Sequence, residues 1–163
     1  MDAKEDFAPQ RALTAVGFLL AQVGAYAANR FAERTAAIDL TPAQAGLLRL
    51  LIAQPGRSQR ELADELGMPP SRFVQFADKL EERELIERKR NPDDRRQHAL
   101  YLTARGRAKL GELAAVARES EQHLCRSLTP EEHAQLSEML VRIAADAGLT
   151  PGVHPGYKWN ESL

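Results

Sequence analysis

The run from residue 58 to residue 102 restricts the fold of this chain more than any other part of it. Ser58-Gln59-Arg60-Glu61 carries the serine and the glutamate of a capping box three residues apart, so it opens a helix. Leu62, Ala63 and Leu66 then share one face, and Gly67 supplies a turn. Met68-Pro69-Pro70-Ser71 introduces a second helix, with Phe73, Phe76, Ala77 and Leu80 at i, i+3, i+4 and i+7. Two short helices about a tight glycine-containing turn make a helix-turn-helix corner, which many all-helical cores contain. The next residues narrow the choice. Residues 85–90 read as a short strand and Asn91-Pro92-Asp93-Asp94 as a turn, while residues 97–102 alternate with His98, Leu100 and Leu102 on one side. A helix-turn-helix followed directly by a hairpin is a winged helix.

The flanking segments are helical. Residues 11–34 repeat Leu13, Val16, Leu20, Val23, Ala27 and Phe31 at three- and four-residue steps. Thr41-Pro42-Ala43-Gln44 is a capping box with proline at the first helical position, and the helix it starts bears Leu47, Leu48, Leu50, Leu51 and Ile52. Thr103 caps a long helix running to about residue 126, striped by Leu110, Leu113, Ala114, Ala117 and Leu124. Thr129-Pro130-Glu131-Glu132 opens the last, with Leu136, Met139, Leu140, Ile143, Ala144 and Ala147 on one face. The expectation is a mainly α chain of 163 residues read as one unit. A winged helix-turn-helix lobe spans residues 41–102, further helices span 10–35 and 103–148, and an irregular tail holding Tyr157 and Trp159 covers 149–163. The outer stripes exceed what so small a lobe can cover, so a second subunit is expected to bury them and form a homodimer.

Net charge is −1, but the charge is unevenly spread. Residues 83–107 hold eight Lys/Arg against four acids, a local +4, which is the footprint of an anionic partner. The single cysteine, Cys125, excludes a disulfide framework and a multi-cysteine zinc site, and suits a reducing cytoplasm. The apolar stretch 12–28 is diluted by Thr14, Gln22 and several Ala and Gly, short of the roughly 20 strongly apolar residues of a span. Residues 1–6 carry three acids and one lysine, the wrong charge for a targeting signal. A cytoplasmic protein without membrane association is expected. No Ser/His/Asp order, phosphate-binding glycine loop or paired carboxylates stand in a recognisable context, so no catalysis and no cofactor are expected. His98, His123, His133 and His154 form no i, i+3 or i, i+4 pair, so no metal is expected either.

Ser71, Arg72, Val74 and Gln75 lie on the first turns of the second helix, off its apolar stripe. In a major groove arginine suits guanine, glutamine suits adenine, and valine can touch a thymine methyl. Ser58 and Arg60 sit at the amino end of the preceding helix, where free N–H groups suit a phosphate. Arg88 and Arg90 alternate along the first wing strand, within reach of phosphates.

In these stretches the chain resembles the multiple-antibiotic-resistance regulator (MarR) family of bacterial transcription factors. Leu40-Thr41-Pro42-Ala43-Gln44, Ser58-Gln59-Arg60-Glu61-Leu62-Ala63 and Asp78-Lys79-Leu80-Glu81-Glu82-Arg83 carry the resemblance. Its most specific part is Asn91-Pro92-Asp93-Asp94-Arg95-Arg96, followed by Leu100-Tyr101-Leu102-Thr103 and Gly106. The resemblance implies an obligate homodimer on a pseudo-palindromic operator, with recognition helices in major grooves and wings over minor grooves. It implies that Arg96 enters the minor groove from the wing tip, with Arg95 beside it and Asp94 holding the wing's shape. It also implies repression in most members, released by small phenolic or aromatic ligands or by thiol oxidation. Gln75 departs from an arginine common in the family, and Glu84 from its usual glycine.

The function expected is sequence-specific DNA binding that represses transcription until a small aromatic effector binds. Phe18, Tyr26, Leu47 and Leu51 are expected to line the effector cavity, between the first helix, the Thr41 helix and the long helix. Two alternatives stand beside it. One is a winged-helix protein-interaction module without DNA readout, disfavoured by the basic wing and by Arg72 and Gln75. The other is an oxidant sensor using Cys125, disfavoured because the family's peroxide sensors carry their cysteine near the first helix.

Overall fold

Reciprocal capping boxes fix three helix starts. The computed structural model, which describes residues 14–91 and 98–153, closes all three: Thr41 with Gln44, Ser58 with Glu61, and Thr129 with Glu132. In chain order the elements are α1 (Val16–Ala36), α2 (Pro42–Ala53), α3 (Gln59–Leu66), α4 (Pro70–Glu82), β1 (Ile86–Arg90), β2 (His98–Leu102), α5 (Ala104–Leu124) and α6 (Pro130–Asp146). The architecture is mainly helical with a two-stranded hairpin, the winged helix-turn-helix order expected from the sequence. Gly67 ends α3 in the left-handed conformation, at φ 62°, which lets the chain turn straight into α4.

β1 and β2 pair antiparallel, with Ile86 opposite Leu102 and Arg90 opposite His98. The loop before α3 extends this ladder. Leu100 N–H donates to the Arg57 carbonyl at 3.0 Å, and Gly56 N–H donates to the Leu100 carbonyl at 3.0 Å. The wing is thereby hydrogen-bonded to the helix-turn-helix rather than merely tethered to it. Its tip, residues 92–97, lies outside the described residues, and Asp94, Arg95 and Arg96 with it. Residues 1–13 and 154–163 lie outside as well, so most of the expected tail and the start of the first helical stretch are not described.

The core sits inside the lobe. Leu47, Leu48 and Leu51 of α2, Leu62 and Leu66 of α3, Phe73, Ala77 and Leu80 of α4, and Leu85, Ile86, Leu100 and Leu102 around the hairpin form one buried cluster. Burying each large side chain contributes about 1.5–3 kcal/mol. From α5 only Leu113 joins as a buried member, with Leu110 and Phe31 of α1 packed against the edge. α1 lies along α5, whereas α6 makes no extended contact with the other described elements. Among the described residues, no helix is long and apolar enough to cross a membrane.

Glu84 joins α4 to β1 with φ 57°, in the left-handed region that favours glycine. Its N–H donates to the Glu81 carbonyl at 2.8 Å, and its own carbonyl accepts from the Thr103 hydroxyl at 2.5 Å, so one local and one tertiary bond hold the conformation. Its carboxylate returns an exposed ion pair with Arg105 at 3.1 Å. A left-handed non-glycine residue costs about 1–2 kcal/mol, and an exposed pair offsets only a few tenths. Glu84→Gly should therefore raise stability by about 0.5–1 kcal/mol, read as a higher urea midpoint at unchanged slope. A lower midpoint would mean that the Arg105 pair outweighs the strain.

Candidate nucleic-acid interface and ligand cavity

Burial of Phe73, Ala77 and Leu80 decides which side of α4 meets solvent. Ser71, Arg72, Val74 and Gln75 are all exposed on the remaining face of its first turns. Phe76 is half-buried and backs the helix through a tilted contact with Phe73, the ring centroids 6.3 Å apart. The helix thus offers two long polar side chains, a hydroxyl and a small apolar group on a rigid support, which is what reading base edges requires.

Arg88 does not reach outward from the wing as the strand alternation suggested. Its side chain is only 15% exposed and is tied to two helices. The guanidinium pairs with Asp78 at 2.7 Å and Glu81 at 2.5 Å, and donates to Gln59 Oε1 at 2.8 Å and the Val74 carbonyl at 3.3 Å. The Arg88 N–H donates to the other Glu81 oxygen at 3.1 Å. The residue therefore staples β1 to α4 and to the start of α3, its guanidinium committed mainly to protein partners rather than to solvent.

Ser58 is likewise turned inward, away from any phosphate. It is 3% exposed, and its hydroxyl donates to Glu61 Oε2 at 2.7 Å while accepting from the Glu61 N–H at 3.2 Å. The Ser58 N–H also donates to Glu61 Oε2, at 2.8 Å. Glu61 thus supplies its own anion to the amino end of α3. The Ser58 bonds, and more weakly Arg57, hold its carboxyl below the usual carboxylate range despite partial desolvation. Arg60 remains exposed on the first turn, and Arg90 is exposed at the end of β1. Between Arg88 and Arg90, Lys89 pairs with Glu87 at 2.8 Å and lies 5.2 Å from the centroid of the Tyr101 ring.

A second feature lies away from α4. A cavity of about 720 Å³ opens between α1, α2 and α5, walled by Tyr26, Ala27, Phe31, Ala45, Gly46 and Leu124. Arg30, Arg49, Ser120, Glu121 and His123 add polar groups. Tyr26 Oη lies 3.1 Å from His123 Nε2. The cation of Arg30, then desolvation and the cations of Arg126 and Arg34, push the His123 pKa below its ordinary 6.5. With its proton on Nδ1, a neutral ring accepts from the tyrosine hydroxyl at Nε2. Among the described residues, one buried side-chain polar atom lacks a hydrogen-bond partner: Ser120 Oγ.

Of the residues expected here, Tyr26 lines this cavity. Leu47 is sealed in the core, Leu51 touches a separate crevice of about 140 Å³, and Phe18 is exposed further up α1. Leu47, Leu48 and Leu51 of α2 are consumed by the core of the lobe and so do not reach this cavity. Arg30, Arg49, Ser120 and His123, which do line it, carry no mark in the apolar periodicity. The available signal was the four-residue step from Tyr26 to Arg30, which places an aromatic and a cation on one helical face. Cys125 does not meet the requirement of an oxidant sensor. Burial first, then the neighbouring Glu121, pushes its thiol up, away from the reactive thiolate.

The MarR family model matches residues 38–97. The HTH-type transcriptional repressor MdtR of Bacillus subtilis (strain 168) is 32% identical over 108 residues, 66% of this chain and 70% of that protein. The transcriptional repressor CouR bound to a 23-mer DNA duplex has a similar structure, with a TM-score of 0.72 and 38% identity over 82% of this chain and 95% of that one. CouR bound to p-coumaroyl-CoA gives a TM-score of 0.65 and 37% identity over 80% and 91%.

Proposed function

The chain belongs to the MarR family of winged helix-turn-helix transcriptional repressors, and from that premise we propose a homodimer that holds a pseudo-palindromic operator until an anionic aromatic ligand enters the α1–α2–α5 cavity. In this reading residues 41–102 form the DNA-binding lobe, and the helices at 10–35 and 103–148 form the dimer. The observation that carries the DNA part is the exposed quartet Ser71, Arg72, Val74 and Gln75 on a helix pinned along its Asp78–Glu81 flank by Arg88. Arg60 and Arg90 serve phosphates, while Arg96, with Arg95 beside it and Asp94 shaping the turn, serves the minor groove as the family resemblance implies.

Selection from random duplexes tests this. Gln75→Ala should cost about 1–3 kcal/mol on the best operator and relax preference at one base pair in each half-site. Arg60→Ala should instead weaken all sequences alike and flatten the salt dependence. A folded, ligand-free dimer that enriches no sequence at low salt would leave the protein-interaction reading in its place.

The cavity carries the effector part. Its volume suits an aromatic acyl group, Arg30 and Arg49 suit a carboxylate or phosphate, and Ser120 Oγ offers an unmet hydrogen bond. The relative CouR binds p-coumaroyl-CoA, so p-coumarate and its coenzyme A thioester are the probes to use. Binding should raise the melting temperature and release operator DNA, because a ligand acts only by favouring one lobe spacing over another. An anion beside His123 raises the imidazole pKa, so binding takes up a proton. Affinity should then climb as pH falls through the bound-state value, levelling off below the free-state value, which lies under 6.5. His123→Gln should remove that slope. A panel that moves neither melting temperature nor operator affinity would remove the ligand-release reading while leaving the repressor.

A further inference from the structure

We propose that Glu121, Cys125 and His133 form a binding site for a zinc-type divalent cation at the junction of α5 and α6. The three ligand atoms all lie within 4.8 Å of one another. His133 Nε2 is 2.6 Å from Glu121 Oε1, and Cys125 Sγ is 3.8 Å from the same oxygen. One carboxylate oxygen is thus shared by an imidazole and a thiol. Around a tetrahedral zinc, with bonds of about 2.0–2.3 Å, neighbouring ligand atoms stand roughly 3.4–3.7 Å apart. The trio therefore needs movements of only about an ångström to close on a metal.

Local backbone structure places the three without help from one another. Glu121 and Cys125 are four residues apart on the last turn of α5, and the Cys125 N–H caps that helix by donating to the Glu121 carbonyl at 2.9 Å. The Leu128 N–H donates to the Cys125 carbonyl at 2.9 Å, tightening the turn between the helices. The Thr129–Glu132 capping box then starts α6, and the His133 N–H donates to the Thr129 carbonyl at 2.9 Å. The donor set of carboxylate, thiolate and imidazole selects a borderline-soft ion, since magnesium and calcium take oxygen alone. Glu121 and His133 are solvent-accessible, which leaves a fourth position for water. Binding releases the thiol proton to solvent. A search for paired histidines overlooks this site, because it holds one residue of each type and its third member comes from the next helix.

Cobalt(II) titration of the full chain reads the site directly. One equivalent per chain should produce a thiolate-to-cobalt charge-transfer band with tetrahedral d–d absorption, and zinc should erase both. Cys125→Ser should abolish the charge-transfer band. His133→Ala and Glu121→Gln should each weaken zinc at least tenfold against a chromophoric chelator, with circular dichroism unchanged. Absence of the band, or zinc affinity that none of the three variants alters, would overturn the site and leave the trio as a surface hydrogen-bond cluster.

Discussion

On the proposed homodimer, replacing Leu140 and Ile143 together with aspartate should give a monomer and lower operator affinity by about 10²–10⁴-fold, the loss expected when two linked half-site contacts become one. Leu136, Met139, Leu140 and Ile143 recur at three- and four-residue steps along α6, and Met139 and Ile143 are 44% and 48% exposed. Val16, Phe18, Leu19, Leu20 and Val23 are comparably open on α1. Soluble monomers rarely leave contiguous apolar faces open to water. A second copy of the chain offers the same pair of faces in return, as a two-fold interface requires. No α6 residue belongs to the buried core cluster, so the winged lobe should stay folded in the double variant. Light scattering gives the mass, and operator titrations across salt give a slope roughly halved with the number of phosphates contacted. A double variant that remains a dimer would place the interface elsewhere.

Gly106→Ala, one added methyl where α5 starts against the hairpin, is expected to be strongly destabilising. A Cβ at Gly106 would stand 2.0 Å from the Leu85 carbonyl oxygen, 3.0 Å from its carbon and 3.2 Å from Leu102 Cδ2. The first two are backbone atoms and cannot rotate aside. The same carbonyl accepts from the Thr103 N–H at 3.3 Å, and the Thr103 hydroxyl accepts from the Gly106 N–H at 2.9 Å. The first turn of α5 would have to lift from the hairpin, breaking its cap and loosening Leu102 and Leu113. Stability should fall by about 3 kcal/mol or more, which is roughly 6–12 °C in melting temperature for a chain of this size. A melting temperature within about two degrees of the unsubstituted protein would show that the hairpin yields instead.

Helix starts, apolar stripes and the order of elements were legible in the residues because their causes are local. A threonine or serine and an acceptor three positions later meet whenever the chain turns, so the boxes at Thr41, Ser58 and Thr129 closed where the spacing put them. The period of Phe73, Ala77 and Leu80 fixed the buried face of α4, and with it the exposure of Arg72 and Gln75. Glu84 stands where the family resemblance implies glycine, and its positive φ shows why glycine suits that place.

The destinations of polar side chains required the folded chain. Arg88 is 29 residues from Gln59 and 7 from Glu81, and only the packing of β1 across α3 and α4 turns a strand cation into a clamp. Ser58 could cap a helix or greet a phosphate, and the pairing of its segment with β2 buried it and left the cap alone. Leu47 and Leu51 could line a cavity or fill a core, and the lobe claimed them first. The polar wall of Arg30, Arg49, Ser120 and His123 comes from three helices with no common period. Periodicity and capping act within about four residues and so are written in the sequence. The partner a charged or polar group takes is a competition among groups brought together from across the chain, and only tertiary packing decides it.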